Sequence, residues 1–340
     1  MAGWLAATTR LCSPNIALNR AGVTLPMRIA ITGGAGFIGS HSVDRLAGAG
    51  HDLLALDDLS SGSLENLAQA GPRTRFQRLD VRDGAALAGA LTAFRPAAVL
   101  HLAAIASVLY SVEQPRDSYA VNLTGTLHAL EAARAAGATR FVFASSAAVY
   151  GGDPALPSAE DDPLRPVAPY AAHKAAGELL CRSYRAAFGL ETVSLRFFNV
   201  FGARQNPDSP YSGVISLFIE AMSGGGVATI MGDGEQTRDF IDVGDVTRAI
   251  EAALAGPDPG PEPINVGRGE SVSIRDLYRL IAAAVGAADA PRFAPARAGD
   301  VRHSRARIDA LGTRLGLTPQ IPVAEGIAHL VRTRLASAGG

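Results

Sequence analysis

From Arg28 onward, short apolar runs alternate with longer amphipathic ones, and the alternation predicts repeated β-α units. Arg28–Thr32 reads as a buried strand, with a helix over 38–46 behind it. Further strands are expected at 53–56, 74–79, 97–102, 140–144 and 192–197. Between them lie helices over Gly84–Phe94, over 117–136 (stopped by Gly137), and over a segment that carries Tyr170 and closes at Gly189. This order implies an α/β fold, a doubly wound parallel sheet that binds ligands outside the carboxyl ends of its strands. Past Asn199 the pattern loosens. Prolines and glycines crowd 202–213 and 256–263, and Gly224-Gly225-Gly226 follows a short helix, as suits a smaller loop-built lobe. A last strand and turn at 264–267 and a helix over Ile274–Val285, capped by Ser273, complete the reading.

The first turn carries chemistry. Thr32-Gly33-Gly34-Ala35-Gly36-Phe37-Ile38-Gly39 places glycines every third residue between strand and helix. Such glycines permit a tight turn, let backbone amides approach a pyrophosphate and let helix pack on strand. Gly33, Gly36 and Gly39 are spaced G-x-x-G-x-x-G, so the dinucleotide motif is not claimed on these three. The second strand ends at Asp57, 18 residues past Gly39, where a carboxylate accepts from both adenosine ribose hydroxyls and repels a 2′-phosphate. No basic residue follows in Asp58-Leu59-Ser60-Ser61-Gly62, so NAD is favoured over NADP.

Farther along stand Ser146, Tyr170 and Lys174. Tyr170 and Lys174, four residues apart, share a helix face. A tyrosine hydroxyl has a pKa of about 10 and is a poor base at neutral pH. A neighbouring ammonium and the positive ring of an oxidised nicotinamide would together lower it, by roughly 3 units or about 4 kcal/mol.

Composition narrows the setting. The 340 residues suit two closely packed domains or one with an appended lobe, and 48% hydrophobic content is enough for a substantial core. A net charge of −1 makes no case for nucleic acid or an anionic membrane, and no apolar run reaches the roughly 20 residues of a membrane span. Cys12 and Cys181 form neither a disulfide framework nor a metal cluster, and His101 has no second ligand at metal spacing, so no metal is expected and a reducing cytoplasm is. Residues 1–26, with Arg10 and Arg20 but no acid, read as a disordered tail or sequence upstream of a start at Met27; the alternative is a transit peptide.

Six segments in order resemble the extended short-chain dehydrogenase/reductases, and within them the UDP-sugar 4-epimerases: Thr32 to Gly39, His101-Leu102-Ala103-Ala104, Ser145 to Gly151, Tyr170-x-x-x-Lys174, Arg196-Phe197-Phe198-Asn199-Val200, and Gly232-Asp233-Gly234 to Arg238-Asp239-Phe240. The resemblance spans about Met27 to Leu335. It implies a Rossmann-like NAD domain over 27–198, a segment around 240–268 returning to it, and a nucleotide-sugar lobe over 199–340. It implies Tyr170 as base, Lys174 as its partner and ribose ligand, and Ser146 as relay for the O4 proton. Gly33, Gly36, Phe37, Ile38, Gly39, Asp57, Asp58, Ser61, Asp80, Val81, Leu102, Ala103, Ala104 and Asn122 are the implied cofactor residues. Ser107, Ser146, Asn199, Val214, Arg238, Arg297, Asp300 and Ser304 are the implied substrate residues, although Arg297 and Asp300 also read as a solvated surface pair.

Two departures bear on the sugar. Ile105 stands where relatives usually carry glutamine, and Ser304 where some hexose-restricted relatives carry tyrosine, leaving room for a 2-acetamido group. Ala147 and Ala148 occupy the places where dehydratases put an Asp-Glu pair. The implied activity is inversion at C4 of a UDP-hexose with tightly bound NAD, through a transient 4-keto sugar. The alternatives are a 4,6-dehydratase or another sugar-nucleotide dehydrogenase, and a non-catalytic NAD-sensing module. Tyr150 and Phe201 suit packing or sugar stacking equally, while His41, His128, His173 and His329 read as ordinary helix positions. Apolar stripes on 117–136 and 169–188 pair across a homodimer in relatives, and burial within one chain accounts for them equally well.

Overall fold

The computed structural model describes residues 26–205, 213–296 and 301–338. Six strands come first: β1 (Arg28–Thr32), β2 (Asp52–Asp57), β3 (Thr74–Arg78), β4 (Ala98–His101), β5 (Arg140–Ser146) and β6 (Glu191–Phe197). Short strands follow: β7 (Asn199–Phe201), β8 (Thr229–Met231), β9 (Thr237–Arg238), β10 (Phe240–Asp242), β11 (Ile264–Val266), β12 (Val272–Ser273) and β13 (Arg292–Ala294). The helices are α1 (Phe37–Gly48), α2 (Gly84–Phe94), α3 (Val108–Glu113), α4 (Pro115–Tyr119), α5 (Gly125–Ala135), α6 (Pro169–Phe188), α7 (Val214–Ser223), α8 (Val243–Ala255), α9 (Ile274–Val285), α10 (Asp309–Leu315) and α11 (Val323–Ala338).

Seven strands form one parallel sheet in the order β11-β6-β5-β4-β1-β2-β3. Its central strands are buried on both faces, which is why they read as unbroken apolar runs instead of alternating ones. Ile29, Ile31, Leu53, Leu100 and Val142 face one core with Val43, Leu46, Val246 and Ile250 of α1 and α8. Ala30, Leu54, Val99, Phe141 and Phe143 face the other, with Leu87, Leu91, Ala129 and Cys181 from α2, α5 and α6. The chain leaves β1 toward β2 on one side and later places β4 on the other, so the crevice opens at the carboxyl end of β1. A third cluster, around Phe218, Tyr278, Ile281 and Ile327, builds the C-terminal lobe, yet β11 within that half of the chain pairs with β6 at the edge of the main sheet.

One expected helix is not a single α-helix. The 117–136 segment begins at Pro115, and Ala120–Thr124 forms a π-turn between α4 and α5. Within that turn Asn122 reaches across to another loop, and Thr126 Oγ bonds the Asn122 carbonyl. A π-turn at such a place is a common device at functional sites. Tyr150 and Phe201 are both buried packing residues, which resolves their two readings. Among the described residues no helix is long and apolar enough to cross a membrane, and no His, Cys, Asp and Glu group has metal-site geometry.

Candidate active site

The candidate residues gather at the carboxyl ends of the parallel strands. At β1, Gly33 takes φ of 71° and donates its N–H to the Leu56 carbonyl. A Cβ there would lie 2.7 Å from Ala103 N, and one on Gly39 would lie 1.9 Å from the Gly33 carbonyl oxygen, so neither position admits a side chain. This packing sets Gly33 against the Leu102-Ala103-Ala104 segment that follows β4. Gly36 caps α1 without a side-chain hydrogen bond, and the first turn of α1 holds no carboxylate. The opening N–H groups at Phe37, Ile38 and Gly39 therefore have the chemistry a diphosphate needs.

Asp57, at the end of β2, accepts from Ala35 N at 2.9 Å and from Leu59 N at 2.9 Å. Burial raises its pKa, while those two amide bonds oppose the rise. Its remaining lone pairs match ribose hydroxyls, so the residues present fit a dinucleotide. Asp58 instead closes a turn, accepting from Ser60 N and Oγ, and Ser61 is exposed beside it. Asp80 is engaged by Arg82, whose fork lies across both its oxygens and holds the carboxyl below its usual range. Arg82 also reaches Asp117. Val81, next in the chain, has its carbonyl bonded to His128 Nδ1 at 3.0 Å.

Pro169 occupies the first position of α6, ahead of Tyr170, and Gly189 ends the helix in the left-handed region. Tyr170 N donates to Ser111 Oγ at 3.0 Å, and its hydroxyl lies beside the Ser146 side chain. Lys174 Nζ donates to the Ala144 carbonyl at 2.7 Å and lies 5.8 Å from the centre of the Tyr170 ring. In the protein by itself burial raises the Tyr170 hydroxyl, with the Ser146 side chain opposing. Burial also pushes Lys174 down to about 8. The expected lowering rests on the positive coenzyme ring together with the ammonium, which keeps its charge while donating one bond to a carbonyl.

Lys174 is, besides, the only lysine in the chain. Asn122 is buried and clamps the loop after β4, its Oδ1 accepting from Ile105 N at 2.7 Å and its Nδ2 donating to the Ile105 carbonyl at 3.0 Å. Fully buried His101, held near pKa 3 by burial and by Lys174, bridges Thr32 and Thr126.

The substrate candidates divide. Asn199, Arg238 and Ser304 all lie along the 237–239 segment, Asn199 on β7 beside β10 and Arg238 on β9: Asn199 N and Nδ2 donate to the Asp239 carbonyl, and Ser304 N donates to the Thr237 carbonyl at 3.1 Å. Asp239, fully buried, accepts backbone N–H bonds from Arg268, Gly269 and Ala306, joining three segments there. Val214 opens α7 behind Gly213, and Ser107 caps α3 by accepting from Tyr110 N. Arg297 and Asp300 lie outside the described residues.

Glu178 and Arg196 were not singled out as site residues. Glu178 continues the Tyr170, Lys174 face of α6 by one more turn, and that spacing alone is a usable signal.

A glycine-lined crevice at the switch point of a parallel sheet, beside a buried tyrosine and lysine and a half-buried serine, defines an enzyme of the dinucleotide-dependent alcohol-oxidising class. The chain belongs to the NAD dependent epimerase/dehydratase family, whose profile matches residues 29–267. It is 45% identical to the UDP-glucose 4-epimerase of Mycolicibacterium smegmatis over 308 residues, covering 90% of this chain and 97% of that one. Among solved structures, the UDP-N-acetylglucosamine 4-epimerase of Methanobrevibacter ruminantium in complex with UDP-N-acetylmuramic acid matches with a TM-score of 0.87 at 36% identity, covering 92% of this chain and 99% of that one. A dTDP-glucose 4,6-dehydratase of Streptomyces venezuelae, solved with NAD, matches at 0.83 and 32%, covering 92% and 98%. NAD is the cofactor of the family.

Proposed function

We propose that the protein inverts C4 of a UDP-hexose, interconverting UDP-glucose and UDP-galactose, with Ser304 leaving space for the N-acetylhexosamine forms. The observation that carries this reading is the cluster of buried Tyr170 and Lys174 with half-buried Ser146, the serine followed directly by two residues without proton-transfer chemistry, Ala147 and Ala148. When bound, NAD supplies reversible hydride acceptance at the carbinol carbon. Tyr170 withdraws the O4 proton, and Ser146 holds its hydroxyl in line for that transfer. Lys174, fixed on the Ala144 carbonyl, keeps positive charge beside the ring. With no acid at 147 or 148 to expel water across C5 and C6, the 4-keto sugar has only the return course. Asn199 and Arg238, with Arg297 and Asp300, hold the nucleotide diphosphate and ribose while the hexose turns.

A 4,6-dehydratase is the second reading, favoured by the similarity to the Streptomyces enzyme and opposed by the same two alanines. A purely NAD-sensing role is opposed by the presence of both Tyr170 and Lys174. We further propose a cytoplasmic homodimer joined through the exposed apolar face of α4 to α6. There Tyr119, Leu127 and Leu179 border a groove of about 360 Å³.

The test is incubation with a panel of nucleotide sugars without added NAD, read by NMR. Interconversion of the two C4 epimers of a UDP-hexose is the expected result. A persistent 4-keto-6-deoxy product would overturn it in favour of dehydration.

A further inference from the structure

Three consecutive residues at the end of β5 are each held by a successive turn of α6. Ser146 meets Tyr170, the Ala144 carbonyl accepts from Lys174 at 2.7 Å, and Ser145 Oγ donates to Glu178 Oε1. Tyr170, Lys174 and Glu178 are spaced by four residues and lie on one buried helix face. Glu178 is in turn gripped by Arg196 of β6, Nε to Oε1 at 2.9 Å and Nη2 to Oε2 at 2.8 Å. Both are nearly inaccessible, with side-chain exposures of 8% and 3%. Arg196 Nη1 continues to Tyr150 Oη at 2.9 Å. Tyr150 donates to Asn265 Oδ1 of β11 at 2.6 Å, and Asn265 Nδ2 donates to the carbonyls of Ser158 and Arg307. Buried ion pairs bring little net stability, but losing one partner leaves the other unneutralised.

We propose that Glu178 and Arg196 are positioning residues: through Ser145 they set the register between the end of β5 and α6, and so the placement of Tyr170 and Lys174. The paired charges also cancel near Lys174, so that its ammonium faces no net field from that side. The other titratable groups around Lys174 are His101 from β4 and Tyr170, His173 and Cys181 from its own helix. Ser118 and Tyr119, from α4, face His173. The kinetic arm of the test rests on the epimerase reading, whereas the amine-titration arm does not.

Because Lys174 is the sole lysine, cyanate carbamylation followed by peptide mapping reports its titration without any substrate. In Glu178→Gln, Arg196 is left as an unbalanced cation where it meets α6, one helical turn beyond Lys174, and the Lys174 midpoint should fall by about one unit. The double variant Glu178→Gln/Arg196→Met removes both charges and should restore the midpoint. Turnover in Glu178→Gln should fall about tenfold or more with KM nearly unchanged, since a small displacement of the acid-base group has that scale of effect. An unchanged midpoint together with unchanged turnover in folded Glu178→Gln would overturn the inference. Ser145→Ala gives a milder check should the charged variants not fold. Turnover should drop several-fold at constant KM and return in Ser145→Thr; wild-type turnover in Ser145→Ala would overturn the positioning role. A shifted midpoint in a protein inactive on every UDP-hexose would sustain the positioning role while refuting the substrate reading.

Discussion

Gly177 stands on the face of α6 that meets the sheet, and replacing it with alanine tests how closely that helix is seated. A Cβ at 177 would lie 2.4 Å from Cζ and 2.8 Å from Cε1 of Phe143. Ordinary carbon contacts are roughly 3.5–4.0 Å, so ring or helix must retreat by about 1 Å. Phe143 has little room to do so. It is fully buried on β5, with the His101 ring stacked at 6.1 Å and Lys174 Nζ at 5.0 Å from its centre. Alanine gains about 1 kcal/mol of helix propensity over glycine, whereas overpacking a filled core costs about 1–3 kcal/mol. The balance is a net loss of up to about 2 kcal/mol. For a chain of this size it lowers Tm by a few degrees, scaling from about 2–4 °C per kcal/mol in smaller domains. Since the ring that must move lies under Lys174, turnover should also fall several-fold with KM little changed. Differential scanning calorimetry and initial rates on the same preparation read both effects. A variant melting at or above wild type with full turnover would refute the argument, because it would mean that Phe143 yields freely.

Other outcomes follow from the same geometry. Tyr170→Phe should lower turnover by about 10²–10⁴-fold, as expected for loss of an acid-base group, while coenzyme remains bound by absorbance of the purified protein. Lys174 should carbamylate with a midpoint near 8. As its folded pKa lies below the ordinary value of about 10.4, the folded chain binds fewer protons between the two, and wild-type stability relative to Lys174→Met should rise with pH across that window, measured by urea unfolding. Asp57→Ser should weaken NAD by about 10-fold or more, read by calorimetric titration, and narrow its preference over NADP, because the ribose acceptor and its repulsion both go. Asp245→Asn should destabilise by about 2–4 kcal/mol in urea unfolding, since the buried carboxylate accepts from Gln320 N, Ile321 N and Arg248 and an amide nitrogen would face those donors.

Where an element is long and its burial uniform, its place could be read from the chain. The strands under the crevice, Gly36 at the head of α1, Asp57 at the end of β2 and the span of α6 all follow from local pattern and end signals. The π-turn could not be read, because it exists to let Asn122 clamp the backbone at Ile105, 17 residues away. Arg82 spreading over Asp80, and Arg196 locking Glu178, depend on which side chains the folded chain brings face to face. Lys174 was expected to partner the Tyr170 hydroxyl and the coenzyme ribose, and the carbonyl of Ala144 that it also meets is visible only once α6 is docked on β5. The ribbons β9–β12 and β8–β13 are two or three residues long, too short to display any period.

The lone lysine has a practical corollary. Thirty arginines carry the rest of the positive charge, so apart from the α-amino group the molecule offers amine-directed reagents a single, buried target. Two-lysine crosslinkers have no intrachain pair of side chains to join. Coupling to an activated support should proceed through the amino terminus, and whatever fraction attaches through the interior amine should be the fraction that loses catalysis.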